Sequence, residues 1–359
     1  MTCKNLHMPI VIPAYEPDDR LIPLLQSLTE AGLTNIVLVD DGGGADYQHY
    51  FDRARLEYGC QVLVHERNMG KGRALKDGFA YCRKTDPDLV GCVTADSDGQ
   101  HRTQDIMRCM QALEENPGHL ILGCRDFSGS NVPGKSRFGN NTTKRVMRYV
   151  CGIRVSDTQT GLRAIPAAFM EELQDTKGER FEFETNMLID SKKKYPITEI
   201  SIETVYDSAE NHQTHFRPFV DSLKIYSIFL KRFGSFLMSS LSASAIDLVT
   251  FTLLCLLLEP RFGTVAATVV SNVVARILSA TYNYLINYVV VFKSKENRLA
   301  TLGRYALLAV IQMGCSTGLV TLFVWILQGL LPKTVVKIIV DCVLFLVSFV
   351  LQRELVFKA

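Results

Sequence analysis

The sequence carries no strong charge of either sign: 39 Lys and Arg stand against 37 Asp and Glu, a formal net charge of +2 over 359 residues. That excludes the broad basic field nucleic-acid binders use, and no nucleic-acid partner is expected. It also lacks paired cysteines. The ten present are scattered singly, with no C-x-x-C or metal-ligand spacing, so neither a disulfide framework nor a zinc site is indicated, and reduced, cytosol-facing thiols are expected. A signal peptide is missing too. The apolar run in MTCKNLHMPIVIPAYEP is short and meets Pro13 early, which implies that the first domain stays in the cytoplasm.

What is present changes along the chain. Up to about residue 232 the sequence is mixed and punctuated by Gly, Pro and charge, whereas from Gly234 onward long apolar runs dominate. The length suggests two units. The expected division is a soluble domain over 1–218, an amphipathic interfacial helix over 219–233 and a membrane domain over 234–359.

Within the soluble part, PIVIPAY (9–15), NIVLVDDGGG (35–44), CQVLVHE (60–66), LVGCVTAD (89–96) and HLILGCR (119–125) read as strands. Leu21, Leu24, Leu25 and Leu28 recur at helical spacing, and residues 70–84 form another helical run. Apolar strands alternating with helices imply an α/β fold with a mostly parallel sheet covered on both faces. Ligands sit at the carboxyl ends of such strands. Asp40 and Asp41 end the second strand, Asn68 and Lys71 follow the third, Asp96 and Asp98 end the fourth and Arg125 ends the fifth. Turn residues scattered at random would have no reason to share one rim.

The stretch ADSDGQH supplies Asp96, Asp98 and Gln100, hard oxygen ligands suited to Mg²⁺ or Mn²⁺, which keep waters and bridge phosphates. A D-x-D alone reads equally as a turn. Lys71, Arg125 and Arg217 would spread positive charge over a diphosphate; taken singly, each is also an ordinary surface cation. His101 is either a base or a packing residue at a helix entry. Glu182 and Glu184, in FEFETNM, are either site residues or face solvent from a strand.

In this order and spacing, VIPAYEP, VLVDDGG, NMGKGRALKDG and ADSDGQH resemble a family 2 glycosyltransferase of the GT-A fold, and within it the polyprenyl-phosphate sugar transferases of the dolichol-phosphate-mannose synthase type, over roughly residues 8–218. The resemblance implies that Pro13, Ala14, Tyr15, Val39 and Asp41 line a nucleotide base pocket, with Glu16 in place of a customary Glu one position away. It implies donor contacts from Lys71, Asp96, Ser97 and Arg217, a metal held by Asp96, Asp98 and Gln100, and catalytic roles for Asp98, Arg125 and Arg137. Arg125 and Arg137 would also bind diphosphate and the lipid phosphate, and DTQTGLRA (157–164) would place Thr160 and Arg163 on the acceptor side. The implied partners are a nucleotide sugar, UDP-hexose first and GDP-mannose next, and a polyprenyl phosphate. A direct displacement would invert the anomeric centre and need no general base, since the acceptor is already an anionic oxygen. The usual D-D-G-S is D-D-G-G here. A processive synthase is disfavoured, because no Q-x-x-R-W follows.

Four apolar stretches, about 234–258, 264–292, 302–331 and 335–357, are each long enough for the ~20 residues a bilayer needs. Lys293, Lys295, Arg298 and Arg304 in the middle loop, Lys231 and Arg232 before the first span, and Arg353 and Lys358 after the last place both termini in the cytoplasm by the positive-inside rule. The four-span pattern, with NYLINYVVVFK closing the second span, resembles the GtrA-like family, associated with moving polyprenyl-phosphate sugars across membranes. Asp247, Arg276 and Asp341 fall within spans, either as functional groups or as a pair fixing helix packing. A homo-oligomer is compatible with all of this.

Overall fold

The structure, a computed structural model, describes residues 7–126, 134–192, 194–203, 218–327 and 330–358. It divides into two compact units, Met1–Ser227 and Ile228–Ala359. In chain order the first unit holds β1 (Ile10–Ala14), α1 (Leu21–Glu30), β2 (Ile36–Asp40), α2 (Gln48–Tyr58), β3 (Gln61–Val64), α3 (Lys71–Thr85), β4 (Gly91–Thr94), α4 (Thr103–Glu115), β5 (Leu120–Arg125), α5 (Gly134–Val146), β6 (Arg163–Pro166), α6 (Ala167–Glu172), α7 (Glu182–Ser191) and β7 (Ile197–Ile202). The strands form one sheet in the order β3-β2-β1-β4-β6-β5-β7. The first four are mutually parallel, β6 runs against both its neighbours, and β7 lies parallel to β5.

All five expected strands are present. The other two escape sequence reading for local reasons: β6 is only RAIP, too short to show a period, and β7 is half-exposed and follows a lysine-rich turn. The FEFETNM stretch, one reading of which put it on a strand, is helical. Phe183, Glu184, Met187 and Leu188 are buried at helical spacing on α7.

Every residue of β1 and β2 is buried, as expected for inner parallel strands with both faces covered. One layer of the core is formed by Leu21, Leu24, Leu25 and Leu28 of α1 with Phe51, Ile106 and Met110. Between β1 and β4 the pairing stops at Val11, two residues before Pro13, which has no N–H to give a partner strand. Beyond that point the two strands are free to part, and β1 is where the chain order of the sheet turns back on itself. Open α/β sheets bind ligands in such a crevice.

A single helix, α8 (Pro218–Phe262), carries the chain from the first unit into the second, so residues 219–233 continue into the first apolar stretch without a break. It is followed by α9 (Thr264–Ile286), α10 (Arg298–Leu327) and α11 (Lys333–Leu351); α9 and α11 each end in a π-helical turn, Asn287–Val291 and Gln352–Val356. Among the described residues, Tyr226–Phe262, Thr264–Val291 and Arg298–Leu327 are long and apolar enough to cross a membrane. The fourth expected span falls on α11, an apolar helix of 19 residues. Arg276 and Asp247 approach to 3.7 Å, the Ser279 hydroxyl donates to Asp247 at 2.8 Å, and the Ser316 hydroxyl donates to Asp341 at 2.6 Å.

Gly78 sets how closely α3 lies on the sheet, since a Cβ there would meet Val11 Cγ1 at 2.4 Å. Gly78→Ala should therefore lower stability by about 1–3 kcal/mol through overpacking. Adding Val11→Ala to the same chain should recover most of the loss, because the new methyl then fills the space the valine vacates; thermal unfolding of the detergent-solubilised protein checks both variants.

Candidate functional site

The β1–β4 crevice opens into a cavity of about 360 Å³, lined from β1 by Pro13, Ala14 and Tyr15, from the end of β2 by Asp41, and from the end of β4 by Asp96, Ser97 and Asp98. Lys71 enters from the start of α3 and Arg125 from the end of β5. Of the polar residues expected on one rim, Asp41, Asn68, Lys71, Asp96, Asp98 and Arg125 share it, whereas buried Asp40 accepts the Gly42 and Gly43 backbone N–H groups instead.

Charge in the cavity is unevenly matched. The Lys71 ammonium lies 2.7 Å from Asp96 Oδ1 and 3.1 Å from Glu184 Oε1. Burial alone would lower its pKa, but these two carboxylates outweigh that and hold it charged, above the usual lysine range. Burial would likewise raise Asp96; Lys71 and His101 overcome it and keep that carboxyl well below its usual range. Asp98 goes the other way. Burial, and then the Asp96 charge beside it, push its carboxyl up. It accepts the Gln100 backbone N–H at 3.1 Å. The pair thus has one strong cation neighbour for two carboxylates, a field that a further cation would relieve.

Asp41 is engaged differently. Its two oxygens accept the backbone N–H groups of Met69 and Gly70, both at 2.8 Å, and His65 Nδ1 lies 2.8 Å away, so the carboxylate fixes the loop that leads into Lys71. Gly70, at φ +102°, is pressed so tightly there that a Cβ would meet Glu179 O at 2.3 Å. Arg125 makes a two-pronged contact with Asp157, 2.7 Å from Nε and 3.1 Å from the guanidinium NH2, and Asp157 is fully buried. That fork sets its reach into the cavity.

The segment DTQTGLRA runs beneath the acidic pair. Thr160 donates to the Gly123 carbonyl at 2.5 Å, Thr94 donates to the Gly161 carbonyl at 2.7 Å, and a Cβ on Gly161 would stand 2.1 Å from Asp96 Oδ2. Arg163, 1% exposed, donates to the Thr160 and Glu184 carbonyls at 2.9 and 2.8 Å. Thr160 and Arg163, expected on the acceptor side, are therefore placed behind the cavity wall. Thr158 and Gln159 of the same segment line it instead.

Of the other expected residues, Val39 is buried in β2, Glu16 follows β1 in the left-handed region at φ +48°, Gln100 stands beyond the acidic pair, and half-buried Arg137 sits on α5; none of these four lines the cavity. Arg217 lies outside the described residues. Arg180, Phe181 and Thr185, which sequence reasoning missed, come from the start of α7 and the turn before it. Their only signal was the basic-aromatic run in GERFEFET. Among the described residues no three His, Cys, Asp or Glu side chains gather as a ready-made metal cage.

Residues 10–190 match the profile of glycosyl transferase family 2, and residues 235–357 that of the GtrA/DPMS transmembrane domain. An uncharacterised protein of Methanocaldococcus jannaschii is 29% identical over 202 residues, covering 55% of this chain and 81% of that one. A UDP-N-acetylglucosamine–dolichyl-phosphate N-acetylglucosaminyltransferase of Methanococcus voltae is 28% identical over 217 residues, covering 55% of this chain and 85% of that one. Among solved structures, glucosyl-3-phosphoglycerate synthase of Mycobacterium tuberculosis in complex with phosphoglyceric acid is 14% identical, covers 65% of this chain and 85% of its own, and superposes with a TM-score of 0.49. With half its length spanned by the first profile and its apolar helices by the second, the chain belongs to glycosyl transferase family 2 and carries a GtrA/DPMS transmembrane domain.

Proposed function

We propose that this glycosyltransferase moves a hexose from a nucleotide diphosphate sugar onto a polyprenyl phosphate, with inversion, at the cytoplasmic face of a membrane that its helices cross with both termini inside. The observation that carries the reading is the meeting of Asp96 and Asp98 with Lys71, Arg125 and Arg180 around one cavity at the β1–β4 crevice. At about 360 Å³ it falls in the range of small-molecule sites, ~300–1,000 Å³. The Methanococcus voltae relative, by its name, uses a UDP-sugar and a dolichyl phosphate, which supports UDP-hexose as first donor, ahead of GDP-mannose.

Asp96 and Asp98 fit Mg²⁺ or Mn²⁺ as two hard carboxylates, one of them pushed up by burial and then by the charge of the other. Among the described residues no third acidic or imidazole side chain joins the pair in a ready-made cage, so the donor's phosphates and water would complete the shell, with Gln100 as a further candidate. When bound, such an ion would neutralise charge developing on the departing diphosphate. The rest falls to the protein. Pro13, Ala14 and Tyr15 take the base, Lys71 and Arg125 face the diphosphate, and Asp41 holds the Met69–Gly70 loop in place. The lipid phosphate attacks the anomeric carbon as an oxyanion, so no side chain has to remove a proton; positioning supplies the rate, with effective-molarity gains of roughly 7–11 kcal/mol. A second reading, that the membrane domain chiefly carries the lipid-linked sugar across, draws on Asp247 and Asp341 within apolar helices.

Proteoliposomes containing polyprenyl phosphate and Mn²⁺, offered a panel of nucleotide sugars, should consume a UDP-sugar and yield a β-linked lipid phosphosugar; product reaching the far leaflet would add the carrier activity, and no transfer from any donor would overturn the main reading. In the same assay Asp98→Asn should lower kcat by roughly 100-fold or more, the size of losing one charge-stabilising group. Gly161→Ala should also cost activity, on the order of 10-fold, by pushing the Asp96 carboxylate out of place, with KM for the metal rising more than KM for the lipid.

A further inference from the structure

His101 is 6% exposed, yet neither of its ring nitrogens has a hydrogen-bond partner. Its Nε2 stands 3.5 Å from Asp96 Oδ2, long for a hydrogen bond, while Lys71 holds the other oxygen at 2.7 Å. Behind the ring, a groove lined by Arg20, Leu24, Ser27 and Thr103 backs the same wall. A buried ring with two idle nitrogens beside a polar cavity calls for an explanation that packing does not supply. Lys71 cannot serve both Asp96 and an arriving diphosphate at full strength. As it turns toward phosphate, Asp96 loses the contact that orients it.

We propose that His101 is a positioning residue: it donates from Nε2 to Asp96 Oδ2 in the donor-loaded state, fixing that carboxylate toward the divalent ion after Lys71 has shifted its charge to the diphosphate. This rests on the metal-assisted reading above. The test is Mn²⁺ binding to the full-length protein in detergent with UDP present, followed by electron paramagnetic resonance without turnover. His101→Leu should weaken Mn²⁺ binding about 10-fold or more, as loss of a group that orients a ligand does, without lowering Tm, since it removes idle polar atoms from a buried site. His101→Gln, whose Nε2 sits at similar reach, should restore binding to within a few-fold. A His101→Leu protein that binds Mn²⁺ like the parent, a His101→Gln protein no better than His101→Leu, or a parent that binds no Mn²⁺ would each overturn the proposal. Sugar transfer without divalent dependence would sink it while leaving the transferase reading intact.

A different observation carries a second inference. In the helical unit the same contacts are made twice, by residues related through two constant offsets, one carrying α8 onto α10 and the other carrying α9 with its π turn onto α11 with its own. Tyr284 meets Phe357 at 5.9 Å where Phe349 meets Phe292 at 5.8 Å; Tyr284 meets Tyr305 at 5.6 Å where Phe349 meets Phe236 at 5.1 Å; Tyr305 meets Phe357 at 6.4 Å where Phe236 meets Phe292 at 5.9 Å. The polar contacts repeat as well. Asn287 donates to Asn283 at 2.5 Å as Gln352 does to Ser348 at 3.0 Å, and the Asp247–Arg276 pair recurs at equivalent positions as Ser316–Asp341. Both π turns are followed by Phe-Lys, with the lysines at φ +46° and +45°. Two pairs join equivalent residues directly: Phe292 stacks on Phe357 at 5.1 Å, and Asn287 donates to Gln352 at 3.0 Å.

We infer that the membrane domain is one helical hairpin used twice, α8–α9 and α10–α11, with a two-fold axis passing through Asn287/Gln352 and Phe292/Phe357. Two hairpins repeated in the same sense place that axis along the membrane normal. Two measurements on the full chain test it. Single cysteines replacing Lys293 and Lys358 in a chain without native cysteines should label from one membrane face, and cysteines replacing Arg261 and Leu330 from the other; Lys293 and Lys358 on opposite faces would overturn the duplication. The exchange Asn287→Gln with Gln352→Asn should melt closer to the parent than either single substitution does. An exchange as destabilising as the two singles combined would equally overturn it.

Discussion

The site depends on how charge is distributed around one carboxylate. Asp96 sits between Lys71 and His101, Lys71 between Asp96 and Glu184, and Glu184 beside Arg163, so acidic and basic groups alternate inward from the cavity to the core. Such a chain is rigid because each member loses its partner if one moves. Asp98 stands beside it at the cavity, with its carboxyl pushed up by burial and then by the Asp96 charge. The cavity thus holds two neighbouring carboxylates whose burial works against carrying both charges at once.

The backing of that chain explains why DTQTGLRA carries so many distinctive residues yet offers few to the cavity. Asp157 grips Arg125, Thr160 ties to β5 through Gly123, Gly161 leaves room for the Asp96 carboxylate, and Arg163 satisfies two carbonyls. Asp157 is wholly buried, so removing Arg125 would strand its charge; breaking a buried pair costs about 3–5 kcal/mol, against a total domain stability of about 5–15 kcal/mol. Truncating Arg125 would therefore confuse folding with chemistry, and Arg125→Lys, which keeps the charge but loses the fork, is the cleaner probe of its role.

Much of this was legible in the sequence because the inner strands are buried on both faces and read as continuous apolar runs, and because their carboxyl ends carry charge that nothing in a turn requires. IVIPA, IVLVD and GCVT lie where their composition put them, and Asp41, Asn68, Lys71, Asp96, Asp98 and Arg125 converge as the shared rim implied. What stayed hidden depends on contacts distant in sequence. Nothing in RAIP shows that it runs against its neighbours, and nothing in DTQTGL says which of its two threonines faces inward; that is settled by β6 entering the sheet between β4 and β5. Arg180 and Phe181 reach the cavity only because α7 packs on α3. Of the proposed doubling of the helical hairpin, the sequence shows little beyond the recurring Val-Phe-Lys that ends α9 and α11, since apolar helices share composition whether or not they are repeats.

Asp41 shows why a residue can matter to ligand recognition without being spent on the ligand. Two backbone N–H groups and the His65 ring already converge on its oxygens. A carboxylate has about four acceptor positions, so room remains for a base N–H, but the bonds it already makes determine where Gly70 and hence Lys71 begin. Gly70 itself is confined by a left-handed backbone and by the Glu179 carbonyl, so the loop has little freedom to find another path. His65 also meets Asp77 at 3.1 Å, which links the loop to the body of α3. Asp41, the Met69–Gly70 loop and the start of α3 at Lys71 are therefore one mechanical unit. A change of base pocket that disturbed Asp41 would move Lys71, and with it the charge balance at Asp96.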